Sequence, residues 1–128
     1  MKMSLRSPIG RARGLGSAKQ GMGHHWSTIV TSVGLIPLSL WFVMSLKGLA
    51  GADYAAFKAW MGQGTHAALM ILTVLLVVWH SVLGLSMVIE DYVHCEAKKF
   101  AALIAIKLVG ALLAVGMTVS ILKVAVGG

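Results

Sequence analysis

His80 lies deep inside the apolar run from Ala67 to Ile89, and that run ends on Glu90, Asp91 and Tyr92. An ionisable ring in hydrocarbon is costly and by default marks a functional site whose partner has to be found. A neutral imidazole there can hydrogen-bond another helix, lend a lone pair to haem iron or another metal, or join a proton path. Read as a helix at 1.5 Å per residue, the segment puts Asp91 about 16 Å along the axis from His80. Half a bilayer's hydrocarbon core is roughly 15 Å, so with Asp91 at the surface His80 is close to the midplane. Gly84 follows one turn on, on the same face, and leaves room for a neighbouring helix or a flat cofactor. At the surface end, the Tyr92 phenol can donate to a carbonyl of an apolar ligand arriving from the bilayer. Asp91 can orient Tyr92 or relay protons. The plainer reading makes these two residues a polar helix end and an aromatic-belt tyrosine.

The elements that must hold these groups follow from composition. Of 128 residues 58% are hydrophobic and 12% charged, too little polarity for a water-soluble domain of this length. The apolar residues fall into three long blocks, which predicts an all-α integral membrane protein with three spans, at about Trp26–Leu46, His66–Ile89 and Phe100–Leu122. Pro37 should bend the first span without ending it, because neighbouring groups can take up the freed carbonyls near Val33 and Gly34. Thr28, Thr31, Ser32 and Ser39 can return their hydroxyls to the preceding turn or to another helix. Residues 48–65 should connect the first two spans through a short interfacial helix carrying Tyr54, Phe57, Trp60 and Met61 on one face. His66 belongs at headgroup level, in water. Residues 90–99 read as a polar surface turn, and Lys107 as a side chain that snorkels to the same surface. Gly110 and Gly116 permit close helix contact.

The net charge of +7 is a statement about membrane orientation. Lys2, Arg6, Arg11, Arg13 and Lys19 all precede the first span, and Lys98 and Lys99 sit in the second loop. That distribution predicts a cytoplasmic N-terminus and 90–99 turn, with the 48–65 connection and the C-terminus periplasmic. The chain divides into a basic cytoplasmic segment, 1–25, irregular or with a short surface helix, and a three-helix anchor, 26–128. No aromatic residues interleave the basic ones, so nucleic acid is not the expected partner. The first 25 residues lack the apolar core of a cleavable signal, and the single Cys95 makes no intrachain disulfide and no metal motif. There is no nucleotide loop and no Ser–His or paired-carboxylate arrangement that would suggest hydrolysis. His24, His25, His66 and His94 all fall near an interface, so a haem held by two histidines needs its second ligand from another chain.

At these residues the sequence resembles the hydrophobic membrane-anchor subunit of bacterial and mitochondrial succinate dehydrogenase, respiratory complex II. The resemblance is carried by His80-Ser-Val-Leu-Gly84 with Val88-Ile89-Glu90-Asp91-Tyr92-Val93. It is also carried by Gly14-Leu15-Gly16-Ser17-Ala18-Lys19, His25-Trp26, Thr31 and Leu35-Ile36-Pro37-Leu38. It implies a bacterial inner-membrane protein packed against a second three-helix anchor, the pair holding haem b and docking the iron–sulfur and flavoprotein subunits on the cytoplasmic side. Succinate oxidation then belongs to the flavoprotein, and this chain alone does not catalyse it. By the resemblance, His80 is this subunit's haem ligand, and Asp91 and Tyr92 lie beside the ubiquinone that receives electrons from the iron–sulfur subunit. Family members often carry an arginine two residues before the threonine matched by Thr31, near a haem propionate. Ile29 stands there, which leaves the propionate to His24, His25 or a partner's arginine. Two readings of other classes remain: a structural or assembly membrane protein in which His80 only packs, and a stand-alone b-type cytochrome.

Overall fold

The structure is a computed structural model, which describes residues 7–9 and 19–127, with side chains in the first helix from Gly23 onward. The 1–25 segment therefore lies largely outside the described residues, including most of its basic residues and the Gly14–Ala18 motif. Among the described residues the elements are four helices: α1 (Lys19–Leu49), α2 (Tyr54–Met61), α3 (Gly64–Tyr92) and α4 (Glu96–Ala125). Three are long and apolar enough to cross a membrane, Gly23–Leu49, Gly64–Tyr92 and Glu96–Ala125. At 27, 29 and 30 residues each exceeds the roughly 20 needed for the hydrocarbon core. The all-α, three-span reading holds. α1 runs unbroken through Pro37.

Each helix extends beyond its apolar block. The largest departure is at the second loop, where residues 90–99 do not form one surface turn. Glu90, Asp91 and Tyr92 complete the last turn of α3, Glu96–Lys99 open α4, and only Val93, His94 and Cys95 lie between. Charged residues at a membrane surface can remain helical because the backbone bonds are internal and the side chains reach water. Glu96 lies in the first turn of α4 and Lys99 pairs with it at 3.6 Å.

α3 is the centre of the arrangement. α1 packs along one side of it and α4 along the other, while α1 and α4 have no comparable contact with each other. The result is an open layer, so apolar side chains along all three spans face outward. In lipid that exposure carries no hydrophobic penalty. Polar groups are the ones that must be satisfied. Thr28, Ser32, Thr73 and Ser86 each donate to the carbonyl four residues back, at 2.7–2.9 Å, as the membrane requires. Thr118 and Ser120 do the same in α4.

Two glycines set the helix spacing. A Cβ on Gly110 would stand 2.6 Å from Val82 Cγ2, and one on Gly34 would stand 3.1 Å from Leu76 Cδ1. Gly110 therefore allows α4 against α3, and Gly34 allows α1 against α3. Gly116 meets nothing within 4 Å and does not serve the close contact its spacing suggested. Gly110→Ala should destabilise the chain by about 1–3 kcal/mol through overpacking, read as a lower Tm of the detergent-solubilised complex. Val82→Ala in the same molecule should restore part of the loss, as expected for residues in direct contact.

α2 is the short connecting helix expected between the first two spans, and its apolar face packs on the spans themselves. Asp53 caps it by accepting from the Ala56 N–H at 2.8 Å. Met61, 3% exposed, then packs with Ala67 of α3 and Ile121 of α4, flanked by Phe57 and Trp60. Trp60 stacks with Trp41 of α1 at 5.9 Å between ring centroids and with Phe57 at 6.4 Å. Of the four residues expected on one apolar face, only Tyr54 points away, into the exposed class. α2 thus ties together the ends of all three spans opposite the His94 loop. His66 also departs from its expected place in water. It is half-buried, stacks on Trp60 at 4.3 Å, and its Nδ1 lies 2.9 Å from the Trp60 carbonyl. A carbonyl only accepts, so Nδ1 carries the proton there.

Candidate functional site

His80 is supplied with a partner by its own chain. Its Nδ1 lies 2.9 Å from Thr31 Oγ1 across the α1–α3 contact. Thr31 is 2% exposed, although it sits in a span whose other faces are open. The antiparallel crossing of α1 and α3 produces the pairing, and Gly34, three residues further along α1, keeps the two axes close enough for it. The expectation that His80 needs a partner from outside the chain is corrected on this side of the ring.

The same contact assigns the ring's protons. Thr31 Oγ1 also lies 2.8 Å from the Ser27 carbonyl and 3.0 Å from the Thr28 carbonyl. A hydroxyl has one proton, and carbonyls offer none, so those short contacts are attractive only when Thr31 donates to them. Toward His80 the hydroxyl is then an acceptor, and Nδ1–H donates. In the neutral ring the lone pair is left on Nε2, which makes no hydrogen bond among the described residues. Hydrogen-bonding to a helix and having a free ligating nitrogen are therefore compatible in this ring, since each uses a different atom. A partner on the far nitrogen fixes tautomer and orientation in metal-ligating histidines generally. Gly84, one turn on, is exposed, and a Cβ there would meet nothing within 4 Å, so the face beside the imidazole is open.

Asp91 and Tyr92 occupy the final turn of α3, and both are exposed, Tyr92 at 76%. They are neighbours in sequence, so their side chains leave the helix about 100° apart, and no hydrogen bond joins them. Asp91 continues the stripe of His80, Gly84 and Met87, at steps of four, three and four. Tyr92 continues the adjacent stripe of Ser81, Leu85 and Val88. The His80 level and the Asp91 level are separated by eleven helical residues, about 16 Å.

Other histidines are placed differently. His25 is exposed. His24 is half-buried, and its Nε2 is shielded with no hydrogen-bond partner among the described residues. His24, Thr28 and Thr31 form one stripe of α1, spaced four and three. No group of three or more His, Cys, Asp or Glu comes together among the described residues. Sequence reasoning missed Thr31 as the partner of His80 and treated it as a residue of the family resemblance and as a hydroxyl that could bond its own helix or another. The Thr-x-x-Gly spacing of Thr31 and Gly34 was the available signal for a polar residue at a close helix crossing.

The geometry predicts a test. Thr31→Val removes the acceptor while keeping shape, and leaves His80 free to rotate or change tautomer. Were His80 Nε2 a metal ligand, the cost would be on the order of 10–100-fold in metal affinity, read as cofactor content of the purified protein. Thr31→Ser should retain most of it.

Residues 3–122 match the succinate dehydrogenase/fumarate reductase transmembrane subunit family. Among curated proteins, the succinate dehydrogenase hydrophobic membrane anchor subunit of Rickettsia bellii is 29% identical over 122 residues, covering 94% of this chain and 97% of that one. The protein of the same name from Paracoccus denitrificans is 29% identical over 104 residues, covering 81% of each. That from Rickettsia typhi is 29% identical over 122 residues, with 94% and 97% covered. No solved structure gave a significant match. Three apolar spans on an all-α frame and a family match over nearly the whole length agree: this chain belongs to the succinate dehydrogenase/fumarate reductase transmembrane subunits, as a hydrophobic membrane anchor.

Proposed function

We propose that the chain is the anchor subunit that helps hold haem b and forms part of the ubiquinone-reducing site of a succinate:quinone oxidoreductase. The observation that carries the reading is the Thr31–His80 contact, which leaves His80 Nε2 as a free lone pair in the middle of α3. A haem fits this donor set. Haem brings most of its iron's ligands itself, so this chain would need to offer a single imidazole nitrogen rather than a cluster. His80 Nε2 would be that ligand, the second coming from a histidine of the other anchor, and Gly84 leaves the adjoining face open to the ring edge. When bound, haem supplies reversible one-electron transfer at its iron. Where Ile29 offers no charge, a propionate would be met by His24 or His25 at the start of the first span or by an arginine of the other anchor.

Tyr92 and Asp91 do the proton-side chemistry. Ubiquinone takes up two electrons and two protons to become ubiquinol. The electrons come from the iron–sulfur subunit docked on the cytoplasmic face, and the protons from the aqueous side, toward which Asp91 is exposed. The Tyr92 hydroxyl donates to a quinone carbonyl and stabilises the oxyanion character that develops on reduction. Because Asp91 and Tyr92 point apart, Asp91 acts as the proton relay and not as a direct holder of Tyr92. Succinate itself is oxidised on the flavoprotein, outside this chain. The basic residues before α1 and Lys98 and Lys99 at the α3–α4 junction put the N-terminus and that junction on the cytoplasmic side.

The deciding experiment is a reduced-minus-oxidised spectrum of the natively purified complex, with its subunits identified. The expected result is a b-type band from a complex that contains flavoprotein, iron–sulfur and two anchor subunits. A complete complex without haem overturns the haem reading and leaves His80 as a packing residue. Haem in a preparation of this chain alone favours the stand-alone cytochrome.

A further inference from the structure

Lys99 and Lys123 bracket the apolar length of α4, and Lys107 is the charged residue between them. The bracketing residues stand about 36 Å apart by helical rise. That spacing fits a hydrocarbon core of roughly 30 Å, with about 3 Å to spare at each end. Lys107 comes about 12 Å after Lys99 along the axis, so its Cα lies about 9 Å inside the hydrocarbon boundary. The side chain leans back toward the start of α4, and its four-carbon stem covers roughly two-thirds of that depth. The ammonium stops short of the surface, and lipid phosphates lie several Å further out.

A charge at that depth requires a counter-charge or a water-filled cavity. The chain has four carboxylates, Asp53, Glu90, Asp91 and Glu96, and all of them lie at helix ends. Glu96 pairs with Lys99, and among the described residues none pairs with Lys107. Phe100, Ile104, Lys107 and Ala111 follow one another at steps of four, three and four, and all four are exposed. They form one stripe of α4. Gly110, which meets α3, and Ala105, Ile106 and Val109, which line the α3–α4 cavity, lie off it. Alternating steps of four and three are those of a seam between two helices, and a single Lys in an apolar seam selects partner and register.

We propose that this stripe docks a membrane-spanning helix of a different chain, which presents a carboxylate to Lys107. A second copy of this chain does not qualify, because its four carboxylates all stand at the ends of its spans. A phospholipid does not qualify either, since its phosphate lies beyond the reach of the ammonium. The ion pair fixes the height of the incoming helix against α4. This contact face is separate from His80, which turns toward α1 on the other side of α3.

The test is made in native membranes. A photoreactive amino acid replaces Ile104 or Ala111 with Lys107 left in place, and cross-linked peptides are identified by mass spectrometry. The expected product joins this chain to a different one, at a membrane-spanning peptide that contains Asp or Glu. Adducts with lipid alone, or with a second copy of this chain, overturn the proposal. Lys107→Met should lower the yield of that product by about tenfold or more, while Lys107→Arg keeps most of it. A lysine that only snorkels predicts no such loss, because methionine removes a charge from hydrocarbon. An undiminished yield in Lys107→Met therefore overturns the pairing. Glu90→Gln should leave the yield as it is; a loss equal to that of Lys107→Met returns the counter-charge to this chain and overturns the proposal. Should Lys107→Met fail to assemble, Lys107→Glu combined with a lysine in place of the identified carboxylate decides. Restored cross-linking supports the pair, and no restoration overturns it.

Discussion

Replacing His80 by alanine should remove the low-spin b-type spectrum of the purified complex. The substitution takes away the one ring nitrogen that the Thr31 contact leaves free, and alanine offers no lone pair in its place. On the proposed reading haem would be bound more weakly or lost, and a fall in haem content of roughly tenfold corresponds to about 1.4 kcal/mol of binding. Succinate oxidation by a soluble acceptor should persist, because the proposed reading assigns dicarboxylate chemistry to a different subunit. The purely structural reading makes the opposite prediction. If His80 only packs, His80→Ala costs Thr31 a hydrogen bond worth about 0.6–2 kcal/mol in a membrane, and the spectrum of the assembled complex is unchanged. Haem fully retained with an unaltered spectrum would defeat the ligand assignment. Thr31→Val separates the two further, since it disturbs the ring's orientation without touching the ligating atom.

Tyr92→Phe should slow quinone reduction by about tenfold or more, about 1.4 kcal/mol in the barrier, in a complex that is intact and retains haem. The change removes one hydroxyl from a ring that is 76% exposed, so folding gives little competing explanation for a loss. If Tyr92 serves only as an interfacial aromatic anchor, phenylalanine serves nearly as well, and turnover and quinone affinity stay at their original values. Asp91→Asn adds a second readout. As a proton relay, Asp91 contributes by gaining and losing a proton, which asparagine cannot do, whereas a residue that merely positioned Tyr92 could be replaced by a neutral hydrogen-bonding side chain.

The three spans, their approximate limits and the place of His80 on the second were legible in the sequence because a membrane imposes a simple rule. Every backbone polar group must be bonded within its own helix, so a span is a continuous apolar run and its length follows from the bilayer thickness. The stripe shared by His80, Gly84 and Asp91 follows equally from helical periodicity. Tertiary structure decided what a one-dimensional pattern does not encode: which faces meet. The sequence offered Thr28, Thr31, Ser32 and Ser39 as equivalent hydroxyls, and only the crossing of α1 on α3 selects Thr31 for His80 and thereby the nitrogen left free. Gly110 and Gly116 read alike along the chain, yet one faces Val82 and the other faces open space. His66, expected in water, is drawn against Trp60, and the apolar face of α2 finds its partners in Ala67, Ile121 and Trp41 at the ends of three helices. Apolar side chains gain little by leaving lipid for protein, so hydropathy does not distinguish a packed face from a lipid-facing one. Steric fit and hydrogen bonding make that distinction, and both exist only once the helices are side by side.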